Sequence, residues 1–104
     1  LGAFEIPPLQ VLQAYTNIAN FGAAKKLSFV RALIDANGEV YFQYNPEIEI
    51  IEAPEKLATL VSMMKVSLQS GTAASIPALG FTAPAAGKTG TTSDNKDAWF
   101  AGFT

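Results

Sequence analysis

Residues Ala85-Ala86-Gly87-Lys88-Thr89-Gly90-Thr91-Thr92 read AAGKTGTT, and the reading of Gly87-Lys88-Thr89 decides what kind of chain this is. The letters could close a phosphate-binding P-loop. Read one residue later, as Lys88-Thr89-Gly90, they place a lysine on a strand opposite a different anion. A P-loop needs a glycine, four residues, then Gly-Lys-Ser/Thr, so that successive amides wrap a phosphate and a helix opens behind the lysine. Counting back from Gly87, the first glycine would stand at position 82, which is Thr82, and Gly80 is two residues too early. Thr89 is followed by Gly-Thr-Thr-Ser-Asp-Asn, which favours strand and turn over helix. Spacing and context both exclude the P-loop.

Composition narrows the remaining choices. A chain of 104 residues fits one ordinary domain. Its hydrophobic share is 49% against 15% charged residues, where a soluble domain carries roughly 25%. Such a chain packs against further protein or is a piece of something larger. The net charge of −2 speaks against nucleic acid as a partner, since that needs clustered basic residues. The one basic pair, Lys25-Lys26, reads as a solvated turn. With no cysteine and no histidine, disulfides, thiolate and imidazole metal sites and the Ser-His-Asp triad are all excluded. No metal or cofactor is expected. No apolar run reaches the ~18 residues of a membrane span, so direct membrane contact by this segment is not expected. The chain opens on Leu1 without a visible signal peptide and reads as an internal fragment.

Periodicity then places the elements. Pro7-Pro8 precede Leu9, Leu12, Tyr15, Ile18 and Ala19, one helical face, with Gly22 as a stop. Leu27–Ile34 and Val40–Tyr44 flank Asp35-Ala36-Asn37-Gly38, and Asn-Gly between such runs predicts a hairpin whose turn residues both accept positive φ. Glu47–Ile51 suggests a short extended segment. A second helix is expected from Pro54 to about Gln69, with Leu57, Leu60, Val61, Met64 and Leu68 on one face and Gly71 as its cap. Residues 72–86, rich in Thr, Ala, Ser, Pro and Gly, read as a connector outside the core. Two strands, about Pro84–Thr92 and Asp97–Thr104, close the chain around Ser93-Asp94-Asn95-Lys96.

The final block carries a resemblance. Gly87-Lys88-Thr89-Gly90-Thr91-Thr92, followed by Lys96-Asp97-Ala98-Trp99-Phe100-Ala101-Gly102-Phe103-Thr104, closely resembles the end of the transpeptidase domain of class A penicillin-binding proteins. Upstream, Leu1-Gly2, Glu5, Pro8-Leu9, Ala14-Tyr15, Ala19-Asn20 and Gly22 look like the family's first helix and its ends, and Gly71-Thr72-Ala73 looks like its second helix closing. Pro7 departs from the family, where a capping Ser or Thr commonly stands; this touches the helix start and not the chemistry.

The resemblance implies an α+β fragment of the β-lactamase and transpeptidase fold, with antiparallel strands, packing helices and a small hairpin; residues 1–104 would be a C-terminal, incomplete portion of that domain. It implies a serine D,D-transpeptidase that cross-links peptidoglycan outside the cytoplasmic membrane, from a membrane-anchored parent chain with a glycosyltransferase domain upstream. Its partners would be stem peptides ending in D-Ala-D-Ala, and β-lactams. On this reading the Thr91 N–H donates to the oxyanion, Lys88 brings positive charge to the nucleophile and substrate carboxylate, and the Thr89 and Thr91 hydroxyls bind that carboxylate. Gly90 lets the substrate backbone lie close. A non-catalytic penicillin-recognising scaffold is the competing class, opposed by the intact Lys88-Thr89-Gly90-Thr91. A β-lactamase-related hydrolase is another, for which no region supplies a deacylating base.

The family's other two motifs, Ser-x-x-Lys and Ser-x-Asn, occur as strings at Ser62-Met63-Met64-Lys65 and Ser93-Asp94-Asn95. Both read as coincidences. Ser62 falls inside a helix, whereas such a nucleophile opens one. Ser93 follows the Lys-Thr-Gly strand instead of preceding it, and at ~3.3 Å per residue it stands roughly 16 Å along the chain from Lys88. The acylating serine is therefore expected outside this chain. Trp99 and Phe100 read as sheet-packing core residues and Met63-Met64 as core filling, while Glu47, Glu49, Glu52 and Glu55 read as a solvated edge rather than a paired-carboxylate site.

Overall fold

The computed structural model describes residues 4–93 and 96–104. Along the chain run α1 (Pro8–Ala19), β1 (Ala23–Ala24), β2 (Ala32–Ile34), β3 (Val40–Gln43), β4 (Glu49–Ile50), α2 (Pro54–Gln69), a 3-10 turn (Pro77–Leu79), β5 (Ala86–Thr91) and β6 (Ala98–Phe103). The class is α+β, with antiparallel pairs β1–β4, β2–β3 and β5–β6. No helix among the described residues is long and apolar enough to cross a membrane.

Both helices open on proline, Pro8 and Pro54, whose fixed φ and missing N–H suit the first helical position. They end differently from the sequence expectation. α1 stops at Ala19, and the chain reverses through Phe21 (φ 50) before Gly22 (φ 89), so the turn does not rest on glycine alone. α2 is capped by Ser70, whose N–H bonds the Val66 carbonyl. Gly71, the expected cap, is not among the glycines at positive φ.

β1, which the sequence reading lacked, pairs with the expected extended segment through Ala23↔Ile50 and Ala24↔Glu49. Ile51 N–H extends the ladder to the Gly22 carbonyl at 3.1 Å. The Gln13 side-chain amide holds the exit from this pair: its Nε2 donates to the Lys25 carbonyl at 2.7 Å and its Oε1 accepts from Leu27 N–H at 2.9 Å. One glutamine on α1 thus bonds the chain as a neighbouring strand would.

The hairpin forms, with shorter strands than expected and a different turn. Residues 27–31 are not strand; Ser28 Oγ instead bonds locally to Val30. Gly38 (φ 87) takes positive φ and Asn37 does not. Gly38 N–H reaches the Asp35 carbonyl at 3.1 Å and Asp35 N–H the Glu39 carbonyl at 2.9 Å, the pattern of a longer loop closed by one left-handed residue. Asp35 Oδ1 accepts from the Asn37 and Glu39 amides, both at 2.8 Å. The carboxylate, absent from the Asn-Gly signal, organises the turn.

The core lies where α2 packs on β5, with α1 beside β6. Among the described residues its buried apolar members are Val61, Leu68, Ala73 and Ala86. Ala73 and Ala86, at 3% and 1% exposed, overturn the reading of 72–86 as a connector outside the core. Small side chains there let backbone approach backbone. The expected aromatic and methionine core is also corrected: Met63 is 67%, Trp99 63% and Phe100 44% exposed. Their apolar faces are real, but the described residues leave much of them uncovered. The chain exposes 8276 Å², where a folded monomer of this size exposes roughly 5,600 Å². Its radius of gyration is 17.3 Å, against about 13 Å for a compact 100-residue domain.

The hairpin turn should respond to acid. The Asp35 carboxyl is held below the ordinary aspartate range, first by the Glu39 amide, against the opposing effect of burial, and then by the Asn37 amide and side chain and the Gly38 amide. A depressed folded pKa stabilises above the unfolded value, and that stabilisation is lost as pH falls through the folded one. Amide chemical shifts of Asn37 and Glu39 should therefore change together with an apparent midpoint below the usual aspartate range, and Asp35→Ala should remove the transition.

Candidate active site

The hydrogen-bond register of β5 orients the site. Ala86↔Phe103, Gly87↔Gly102, Lys88↔Ala101, Thr89↔Phe100, Gly90↔Trp99 and Thr91↔Ala98 lie opposite one another. Just past the strand, Thr92 N–H bonds the Asp97 carbonyl at 3.1 Å. Antiparallel pairs alternate between bonded and non-bonded. Counting back from Thr92, the Gly90, Lys88 and Ala86 backbone groups face β6, and those of Thr91, Thr89 and Gly87 face the outer edge. Two contacts agree with that parity. The Gly87 carbonyl accepts from Ser67 Oγ of α2 at 2.6 Å, and the Thr89 carbonyl accepts from Lys88 Nζ at 2.8 Å.

Side chains reach the same edge from both faces. Alternation puts Gly87, Thr89 and Thr91 on one face of the strand and Lys88 and Gly90 on the other. Lys88 nevertheless curls round the edge, since its ammonium also lies 3.3 Å from Thr89 Oγ1. Thr89 Oγ1 in turn meets Thr72 Oγ1 at 2.6 Å. Lys88 and Thr91 are exposed and Thr89 half-buried. Lys88, Thr89 and the Thr91 N–H thus lie along one edge, which no strand covers among the described residues.

Two further hydroxyls belong to this edge, Ser67 and Thr72, and the sequence reading gave neither a role. Ser67 carried a signal: three residues after Met64 and one before Leu68, it is a polar group on the border of α2's apolar stripe. Thr72 carried none beyond its place in Gly71-Thr72-Ala73, because its partner is 17 residues away.

The two glycines of the triplet region differ in purpose. A Cβ on Gly87 would press into the Phe100 ring and lie 2.8 Å from the Ala101 carbonyl oxygen. Gly87 is a packing requirement, with Phe100 filling the space that Gly87 and its partner Gly102 leave. A Cβ on Gly90 would meet nothing within 4 Å. The strand is open on that side of Gly90.

The first of the remaining motif strings is held within its own helix. Ser62 Oγ donates to the Ala58 carbonyl at 2.9 Å within α2, so its hydroxyl is engaged by its own helix. Ser93 follows the end of β5, and Asp94 and Asn95 of the second string lie outside the described residues, as do Leu1 and Gly2 of the family-like opening. Glu47, Glu49 and Glu55 are exposed. Glu52 accepts from the Ala53 amide at 2.8 Å and from Lys56 Nζ at 3.0 Å, which lower its pKa in that order. Among the described residues no acidic group of three or more converges as a metal site.

A Lys-Thr-Gly strand in an antiparallel sheet with packing helices is what the resemblance to class A penicillin-binding proteins implied. The family described as "Penicillin binding protein transpeptidase domain" matches residues 1–104. Penicillin-binding protein 1A of Aquifex aeolicus is 40% identical over 103 residues, covering 99% of this chain and 14% of that protein. Penicillin-binding protein 1B of Escherichia coli is 40% identical over 104 residues, covering 99% of this chain and 12% of the relative. The Vibrio cholerae 1B protein is 36% identical over 102 residues, covering 98% and 13%. The chain belongs to the penicillin-binding protein transpeptidase domain family. It spans 12 to 14% of the length of these relatives.

The glycine contrast is measurable. Gly87→Ala should destabilise by about 1–3 kcal/mol, the usual cost of forcing an extra group into packed surroundings. Gly90→Ala should stay within about 0.5 kcal/mol. Urea unfolding of the two variants distinguishes them.

Proposed function

We propose that this chain supplies the Lys-Thr-Gly side of the active site of a serine-type D,D-transpeptidase, as the C-terminal part of its catalytic domain. The observation that carries the reading is the convergence of Lys88 Nζ, Thr89 Oγ1 and the Thr91 N–H on the uncovered edge of β5. Its substrate is the D-Ala-D-Ala end of a peptidoglycan stem peptide, and β-lactams compete as mimics of that end. The exposed aromatic and methionine faces pack against the rest of the domain, which also brings the acylating serine. The site lies outside the cytoplasmic membrane in a membrane-anchored parent protein, with neither nucleic acid nor membrane touching this segment.

The chemistry follows from the edge. A substrate lying along β5 places its terminal carboxylate by Lys88 and Thr89 and its scissile carbonyl by Thr91. Thr89 and Thr91 are two residues apart, about 6.7 Å, a span that one terminal residue bridges with a hydrogen bond at each end. When the serine attacks, negative charge develops on the carbonyl oxygen, and the Thr91 N–H is aimed there without rearrangement. The Lys88 ammonium has three N–H groups, and the contacts to Thr89 use two, leaving a donor for the ligand or the nucleophile. The intact edge favours this reading over a scaffold that has lost its chemistry.

Lys88→Ala in the complete enzyme should slow acylation by a penicillin about 10²–10³-fold, the cost of one oxyanion-type contact. An unchanged rate would remove Lys88 from the site. The 104-residue chain alone should form no covalent adduct with a fluorescent penicillin by intact mass. A stoichiometric adduct at Ser62 or Ser93 would instead make that serine the nucleophile.

A further inference from the structure

We propose that Thr72 is a positioning residue: its hydroxyl donates to Thr89 Oγ1 and so turns the Thr89 proton outward, toward a ligand carboxylate. The inference rests on the transpeptidase reading above and adds a residue that does not itself touch the substrate.

It follows from counting protons. A threonine hydroxyl has one proton to give and two lone pairs to receive with, while an ammonium only gives. Lys88 Nζ, 3.3 Å away, therefore fills one acceptor position on Thr89 Oγ1. Thr72 Oγ1, at 2.6 Å, is the second partner, and either oxygen of that pair can be the donor. If Thr89 gives its proton to Thr72, it has none left for a ligand. If Thr72 gives, both acceptor positions of Thr89 are filled, and its proton has no role except as a donor to a third group. A carboxylate accepts and does not donate, so it selects the second arrangement. The bonds also polarise in one direction, each strengthening the next.

The turn that carries Thr72 is built to hold it still. Ser67 Oγ bonds the Gly87 carbonyl at 2.6 Å, and Thr72 meets Thr89, two residues further along the same edge. Between them Ala73 N–H bonds the Ser67 carbonyl at 3.0 Å, and Ala73 is 3% exposed. Gly71 makes the tight path possible, because a Cβ there would stand 2.7 Å from Ser67 Cα. The C-terminal end of α2 and the turn after it therefore grip β5 at two points, and Thr72 reaches Thr89 from an anchored backbone rather than a loose loop.

The test uses the complete transpeptidase, a penicillin and the methyl ester of the same penicillin, with the ratio of their second-order acylation constants as readout. Because both constants come from one preparation, any misfolded fraction cancels. Thr72→Val should lower the free-acid to ester ratio about tenfold, the scale of one hydrogen bond, chiefly by slowing the free acid. Thr72→Ser, which keeps the hydroxyl, should stay within about twofold of wild type. If the valine variant does not fold, Thr72→Ala deletes the same hydroxyl and is read in the same way. Thr89→Val should also lower the ratio, and adding Thr72→Val to it should lower it no further. A hydroxyl-less Thr72 variant with the wild-type ratio, while Thr89→Val falls, would overturn the role of Thr72 and leave the transpeptidase reading standing. An unchanged ratio in Thr89→Val would instead remove the reading on which the inference rests.

Discussion

The proposed site depends on the alternation of backbone groups along β5. One edge of the strand pairs with β6, and the other has no strand partner among the described residues. An unpaired edge is ordinarily a hazard, a row of donors and acceptors open to any extended chain. Here the outer edge is partly occupied. The Gly87 and Thr89 carbonyls accept from Ser67 and Lys88, and what remains is the region of Thr89 to Thr91. An extended peptide end is the ligand that such an edge suits, since it offers backbone groups at the same repeat.

Packing serves that edge. Where α2 buries Val61 and Leu68, β5 offers the small buried Ala86 and Gly87, so helix and strand approach closely enough for Ser67 to bond the Gly87 carbonyl. Larger side chains would bury more apolar area, but would move α2 away from the Gly87 carbonyl and Thr72 away from Thr89. The Phe100 ring over Gly87 and Gly102 works to the same end from β6, filling with one side chain the room that two glycines leave on neighbouring strands.

The exposed apolar surface is the counterpart of this economy. The chain's hydrophobic residues greatly outnumber its charged ones, yet four apolar residues are buried among those described. Leu33 and Ile34 of the hairpin, Met63 of α2 and Trp99 of β6 all face outward. Within a larger domain such faces become interior, and their burial adds the stability that this segment's small core does not supply.

Local chemistry was readable from the residues alone. The prolines at 8 and 54 begin the helices, the apolar spacing after Pro54 gives α2 its length, and Gly87–Thr104 carries enough identity to name the family. Each of these depends on neighbours within a few residues, where periodicity and turn chemistry act. Three things were decided by tertiary structure. Trp99, Phe100 and Met63 have the character of core residues, but what covers a side chain depends on which elements meet over it. The pairing of β1 with β4 joins stretches too short to show a period. The Thr72–Thr89 contact crosses 17 residues and requires α2 and β5 to be docked first. A hydroxyl's partner is set by where the backbone brings it, and in a sequence a threonine bonded to another hydroxyl and a threonine bonded only to water look the same.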